Sequence, residues 1–174
     1  GAADDNVQDV IRYLVASDFG TTGDIVNNFD ATGGLGVEDR IEFGGTLNTL
    51  FDDVTNDDDF AFASDNNVNN DNQAVNLDTT IEALFLDGNN SEGVTNANLT
   101  SAAAVAAEFN AEFDITASVG ESALLVINDT DANSAAIWQY VESGTAEIQA
   151  SELTLVALVN GNAAIETGNL DLVA

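Results

Sequence analysis

Two arginines, Arg12 and Arg40, are the only cationic side chains in a chain with thirty-one aspartates and glutamates. Any fold must therefore accommodate a formal charge of -29 over 174 residues. Self-repulsion of this size opposes compaction. Yet 45% of the residues are hydrophobic, the share of a globular domain rather than of an acidic disordered tail. Something outside the chain has to offset the repulsion, and divalent cations or high salt are the two candidates.

The missing residue types exclude several chemistries. Without histidine or cysteine there is no Ser-His or Cys-His nucleophile pair and no ordinary zinc, copper or iron–sulfur site. What remains in quantity is hard oxygen from Asp, Glu, Asn, Ser, Thr and backbone carbonyls, the ligand set of calcium. Two arginines cannot neutralise a phosphate backbone, which excludes nucleic acid as a direct partner, and an anionic membrane surface would repel the chain. The longest apolar runs, such as residues 153–159, are too short to span a bilayer, so no membrane insertion is expected. No basic-then-apolar signal peptide opens the chain. From the absence of methionine, Gly1 is expected to be the edge of a fragment cut from something longer, or of a processed protein.

Length and patterning predict one mainly β domain over 1–174, with a core that buries about two-thirds of the unfolded surface. Residues 1–95 form an acidic, turn-rich β portion, and 96–174 a helix followed by a C-terminal β region. Residues 7–15 have helical spacing on paper but are rich in β-branched and aromatic types. Short strands are predicted at 25–30 and 40–43 around the turn Gly33-Gly34-Leu35-Gly36, and at 81–86. The Asp/Asn-dense stretch 52–78 reads as loop, interrupted only by the alternation of Phe60 and Phe62, which suggests a short strand inside it. The clearest helix is 101–113, where Val105, Phe109 and Phe113 recur every four residues and Thr100 or Ser101 can cap the start. Strands follow at 123–128, 135–141, 153–159 and 170–173, the first two joined as a hairpin and the third ending at the turn signal Asn160-Gly161. No long-period repeat is visible.

Three groups of acids are candidate calcium ligands. Asp129, Asp131 and Asn133 alternate through a tight turn as in the opening of an EF-hand loop. Ser134, however, stands where that loop needs glycine, and Tyr140 where it needs a bidentate glutamate. The alternative is a polar hairpin turn. Asp57, Asp58 and Asp59, with Asp65 and Asp71 nearby, form the densest anionic patch, which is either a cation site or a solvated charge run. Asp30, Glu38 and Asp39 flank the glycine turn, where freed carbonyls suit calcium; equally, Asp39-Arg40 can be a strand end with a weak surface ion pair. Two acids suffice for a glycosidase, but no pocket-forming motif accompanies these thirty-one, and a non-enzymatic chain is expected. Trp138 and Tyr140, on one strand face, offer either a carbohydrate platform or core packing.

Asp24-Ile-Val-Asn-Asn-Phe29-Asp30 followed by Glu38-Asp39-Arg40-Ile41-Glu42-Phe43 resembles the unit that follows the calcium repeats of RTX-type secreted proteins. Residues 124–133, 137–140 and 152–158 look like the C-terminal region of the same class, and Asp171-Leu172-Val173-Ala174 is similar to the acidic-then-apolar ending of type I (ABC-transporter) secretion substrates, as in serralysin-like proteins. The resemblance places a strand within residues 9–13. It departs from the class in lacking the glycine-rich nonapeptide of the β-roll, so calcium ligands do not carry over residue by residue.

The resemblance implies a β-roll or β-sandwich-like C-terminal domain with one packed helix. It further implies a bacterial secreted or cell-surface location, partnership with the type I secretion machinery, and Ca2+ as the folding cofactor. The parent would be an adhesin, a surface-layer or matrix protein, or an exoenzyme. The absence of cysteine and proline suits threading and refolding, since neither disulfides nor slow proline isomers intervene. Two other readings stay open. One is a structural subunit that self-associates at the cell surface through bare β edges, in a layer, filament or matrix; the other is a halophilic acidic domain without specific calcium sites.

Overall fold

The computed structural model describes residues 7–20, 22–31, 38–51, 60–65, 72–79, 81–86, 96–129, 133–161 and 164–173. In chain order the elements are β1 (Val10–Tyr13), a 3-10 turn (Ala16–Phe19), β2 (Asp24–Phe29), β3 (Arg40–Phe43), the single-turn helix α1 (Asn48–Phe51), β4 (Phe62–Asp65), β5 (Gln73–Asn76) and β6 (Ala83–Leu86). Helix α2 (Ala102–Glu112) follows, then β7 (Phe113–Thr116), β8 (Ser122–Asn128), β9 (Ser134–Val141), β10 (Leu153–Gly161) and β11 (Leu170–Leu172). The fold is mainly β with one substantial helix, as the sequence predicts.

A six-stranded sheet, ordered β2-β10-β9-β8-β6-β4, forms the middle of the molecule. It draws β2, β4 and β6 from the acidic first portion and β8 to β10 from the second. Strands β8 and β10 each run antiparallel to β9 between them, while β2, β4 and β6 add in parallel. On one face lies the three-stranded parallel sheet β1-β3-β11. On the other lie α2 and the parallel pair β5-β7.

Being covered on both faces explains why the central strands read as continuous apolar runs instead of alternating. All seven residues of β8 are buried. Leu124 and Val126 join the core beneath β1-β3-β11, with Phe43, Phe85 and Ile137. Ala123, Leu125 and Ile127 join the core beneath α2, with Val105, Phe109 and Trp138. A register shift between Leu155 and Ala157 in β10 lets Leu153 serve one core and Val156 and Val159 the other. Each fully buried Leu, Val or Phe contributes about 1.5–3 kcal/mol of transfer free energy.

Helix α2 starts at Ser101, whose Oγ accepts the Ala104 N–H at 3.4 Å. Val105 and Phe109 are buried on its inner stripe, and Phe113, the next on that stripe, stacks on Phe109 as the first residue of β7. Residues 10–13 are strand despite their helical spacing, because parallel pairing with β3 buries Tyr13 against Phe43. Two readings of the sequence need correction. The stretch 52–78 is not all loop, since Gln73–Asn76 pairs with β7 in register Gln73 to Phe113. Asn160-Gly161 is not a turn but the end of β10, facing β2 at a bulge where Asn28 takes φ 59°.

Candidate functional site

Asp18, Asp39, Asp78, Glu82, Asp129, Glu142 and Glu152 each accept a backbone N–H. Asp39 is buried at the entry to β3; its Oδ1 accepts the Asp9 N–H at 2.9 Å and its Oδ2 the Asp30 N–H at 2.8 Å. The Asp39 N–H in turn donates to the Asp30 carbonyl at 2.8 Å. Asp39 thereby fastens the start of β1, the end of β2 and the start of β3 together. Asp39-Arg40 is no surface ion pair: Arg40 reaches Asp171 on β11 at 3.5 Å, and Arg12 binds Glu42 through Nε at 2.7 Å. Both arginines are thus spent within the β1-β3-β11 sheet.

Asp129 is buried at the end of β8, and its Oδ1 accepts the N–H of Asn133 at 3.1 Å and of Ser134 at 3.4 Å. That geometry closes the β8–β9 hairpin from inside. Asp131 lies outside the described residues, as do Asp57, Asp58, Asp59 and Asp71. Among the described residues, no three Asp or Glu side chains are placed to hold a metal ion together. The carboxylates of Asp39 and Asp129 are engaged by two N–H donors each and do not present a free oxygen cage. Trp138 and Tyr140 are buried; the Trp138 indole N–H donates to the Leu99 carbonyl at 3.1 Å, so the pair is core and not a stacking platform.

No signal in the sequence points to the densest buried acid cluster. Glu142, just past β9, and Glu152, just before β10, are both buried beside Tyr140. Glu142 accepts the Tyr140 hydroxyl, the Gly144 N–H and, at 3.0 Å, the Thr145 N–H. Glu152 accepts the Ser143 N–H at 2.9 Å, the Ser143 hydroxyl, the Thr145 hydroxyl at 3.0 Å and the Gln149 N–H at 2.7 Å. Burial works to raise the Glu152 pKa, but the donors from Ser143, Gln149 and Thr145 outweigh it and hold the carboxyl below the usual range. Burial, then the hydrogen bond and negative charge of Glu142, push the Tyr140 phenol well above its ordinary value. Asn110 of α2 completes the loop by gripping Ile148, donating to its carbonyl and accepting its N–H, both at 2.9 Å. A cavity of about 40 Å³ between Asn110, Tyr140, Glu142 and Glu147 is close to the space of one or two waters.

In these arrangements each carboxylate is held by backbone N–H or hydroxyl donors. No protein-family model, curated protein or solved structure matches the chain.

The residues that resemble an export signal have a defined place. Leu170 and Leu172 point into the core, Asp171 lies beside Arg40, and the Val173 N–H donates to the Phe43 carbonyl at 2.9 Å. Ala174 lies outside the described residues. No helix among the described residues is long and apolar enough to cross a membrane.

Proposed function

We propose that the chain is a non-catalytic, mainly β module of a secreted or cell-surface protein, exported by a type I pathway through its last residues and folded with calcium outside the cell. The observation that supports this reading is the position of β11. Asp171 and Leu172, two of the four residues that resemble the export signal, belong to it; in the folded molecule they are strand-paired with β3, Leu172 buried and Asp171 partly so. A transporter that reads an extended C-terminal segment would have access to it only before folding. Folding and export then compete for one segment, and acidic self-repulsion in a calcium-poor cytosol favours export.

Calcium enters through the charge of -29, because the described carboxylates do not form a cage. Binding to the folded state alone would add RT ln(1 + [Ca]/Kd) of stability. The engagement of Asp39 and Asp129 with backbone N–H favours a second reading, in which the remaining acids serve hydration in brine and bind no specific ion. Export itself is tested with a reporter fused ahead of this chain in a host with a type I system. Deleting residues 171–174 should lower the secreted fraction several-fold while total synthesis is unchanged; equal secretion removes the export role.

A further inference from the structure

Sheet β1-β3-β11 ends in two strand edges that match each other. Among the described residues no strand lies outside β1 or β11. The Asp9 and Tyr13 carbonyls accept from the Arg40 and Gly44 N–H groups of β3. By strand alternation, Val10 and Arg12 turn their own N–H and C=O groups away from β3. On the other side the Val173 N–H donates to Phe43, so Asp171 also faces β3, and the Leu170 carbonyl and Leu172 N–H face outward.

Side chains run in rows across the sheet. Arg12, Glu42 and Asp171 share one row on its outer face. Leu14 and Val173 meet over Gly44 in the next, close enough that a Cβ on Gly44 would touch both. Val10 and Leu14 flank Arg12 on that outer face, at 46% and 47% exposure.

We infer that β11 of one copy receives β1 of a second copy, in parallel and in register, with Asp171 opposite the incoming Arg12. The Arg12 N–H then meets the Leu170 carbonyl, and the Leu172 N–H meets the Arg12 carbonyl, which is the bonding pattern of a parallel ladder. Arg12 lies between two carboxylates, Glu42 of its own sheet and Asp171 of the neighbour. Leu14 adds to Val173, so the rows of one sheet continue into the next. A slip of one residue would turn the core side chains outward, and a slip of two would set Val10 or Leu14 against Asp171. Charge thus selects one register. One of the chain's two cations stands on one edge and an acid stands on the other. The contact is head-to-tail and leaves both outer edges free, so it propagates into chains of copies rather than closing as a two-fold dimer.

Overall charge opposes the encounter, so association requires screening; at about 1 M NaCl the Debye length is only about 3 Å. Sedimentation at rising protein concentration in high salt should show weight-average mass increasing at least about twofold, in species that grow stepwise. Arg12→Asp and Asp171→Arg should each abolish the increase when alone, because each sets like charges across the contact. Mixing the two should restore association, because every edge then meets its opposite. Two non-associating variants whose mixture stays monomeric overturn the proposal, as does a native chain that is monomeric at all concentrations in high salt.

Should either variant fail to fold, single cysteines decide. Within one copy positions 12 and 171 lie two strands apart, about 10 Å, beyond disulfide reach. A mixture of Arg12→Cys and Asp171→Cys chains should oxidise to a 12–171 heterodimer in large excess over either homodimer. A statistical mixture of dimers overturns the contact.

Discussion

Asp39 shows what a buried carboxylate does for the backbone of this chain. Its two oxygens hold two backbone N–H groups at the ends of two different strands, in a place where an unpaired donor would cost about 1–3 kcal/mol. Asp39→Ala should therefore destabilise the fold by about 2–4 kcal/mol. Asp39→Asn keeps one acceptor oxygen and should lose about half as much. Urea denaturation of the three proteins checks both the size and the order. Glu152 acts the same way at the other end of the molecule and carries a pH signature. Its folded pKa is depressed, so its contribution is complete above the unfolded value of about 4.3 and is lost as pH falls through the folded value. Glu152→Gln should be less stable at neutral pH yet show a flatter loss of stability below about pH 4. Tyr140 has the opposite sign. Its raised pKa makes its stabilisation complete below about pH 10 and lost above it. Denaturant midpoints measured across both limbs separate the two effects.

Among the elements, β10 illustrates how one glycine can be misread. Asn160-Gly161 has the composition of a turn, and locally nothing distinguishes it from one. In the fold, β2 crosses so near that a Cβ on Gly161 would lie 2.4 Å from the Phe29 carbonyl oxygen. The glycine is there for close backbone approach at a bulge. Gly161→Ala should push β2 off β10 and lower stability by about 1–3 kcal/mol; thermal melts measure the loss, and amide exchange confined to β2 would locate it. Helix α2, by contrast, was legible in full, because alanine, an apolar stripe and a serine cap all agree locally. Strands β5 and β7 were not legible. Gln73–Asn76 has a single buried side chain, Val75, and its strand character comes from a partner some forty residues away.

For the whole molecule, the charge of -29 dominates, and calcium is its sharpest probe. If specific sites exist, millimolar calcium should raise Tm well above the effect of sodium at equal ionic strength, and a chelator should reverse it. Equal shifts from both salts would assign the acids to hydration and screening alone. Even pairing of all carboxylates by monovalent ions would leave the arginines where they are. Both sit in the β1-β3-β11 sheet, tying β1 and β11 to β3.

Residue types alone determined that this chain would be mainly β, would hold one amphipathic helix, and would lack histidine or cysteine chemistry. Those conclusions follow from local patterning and inventory, whereas individual strands such as β1 and β5 depend on their partners. The two-faced burial of the central sheet, the role of Asp39 and Asp129 as backbone acceptors, the Glu142–Glu152 clasp and the placement of β11 beside β3 were decided by tertiary structure. A carboxylate looks the same in sequence whether it faces a metal, water or an N–H group; which one it meets depends on strands brought together from distant parts of the chain.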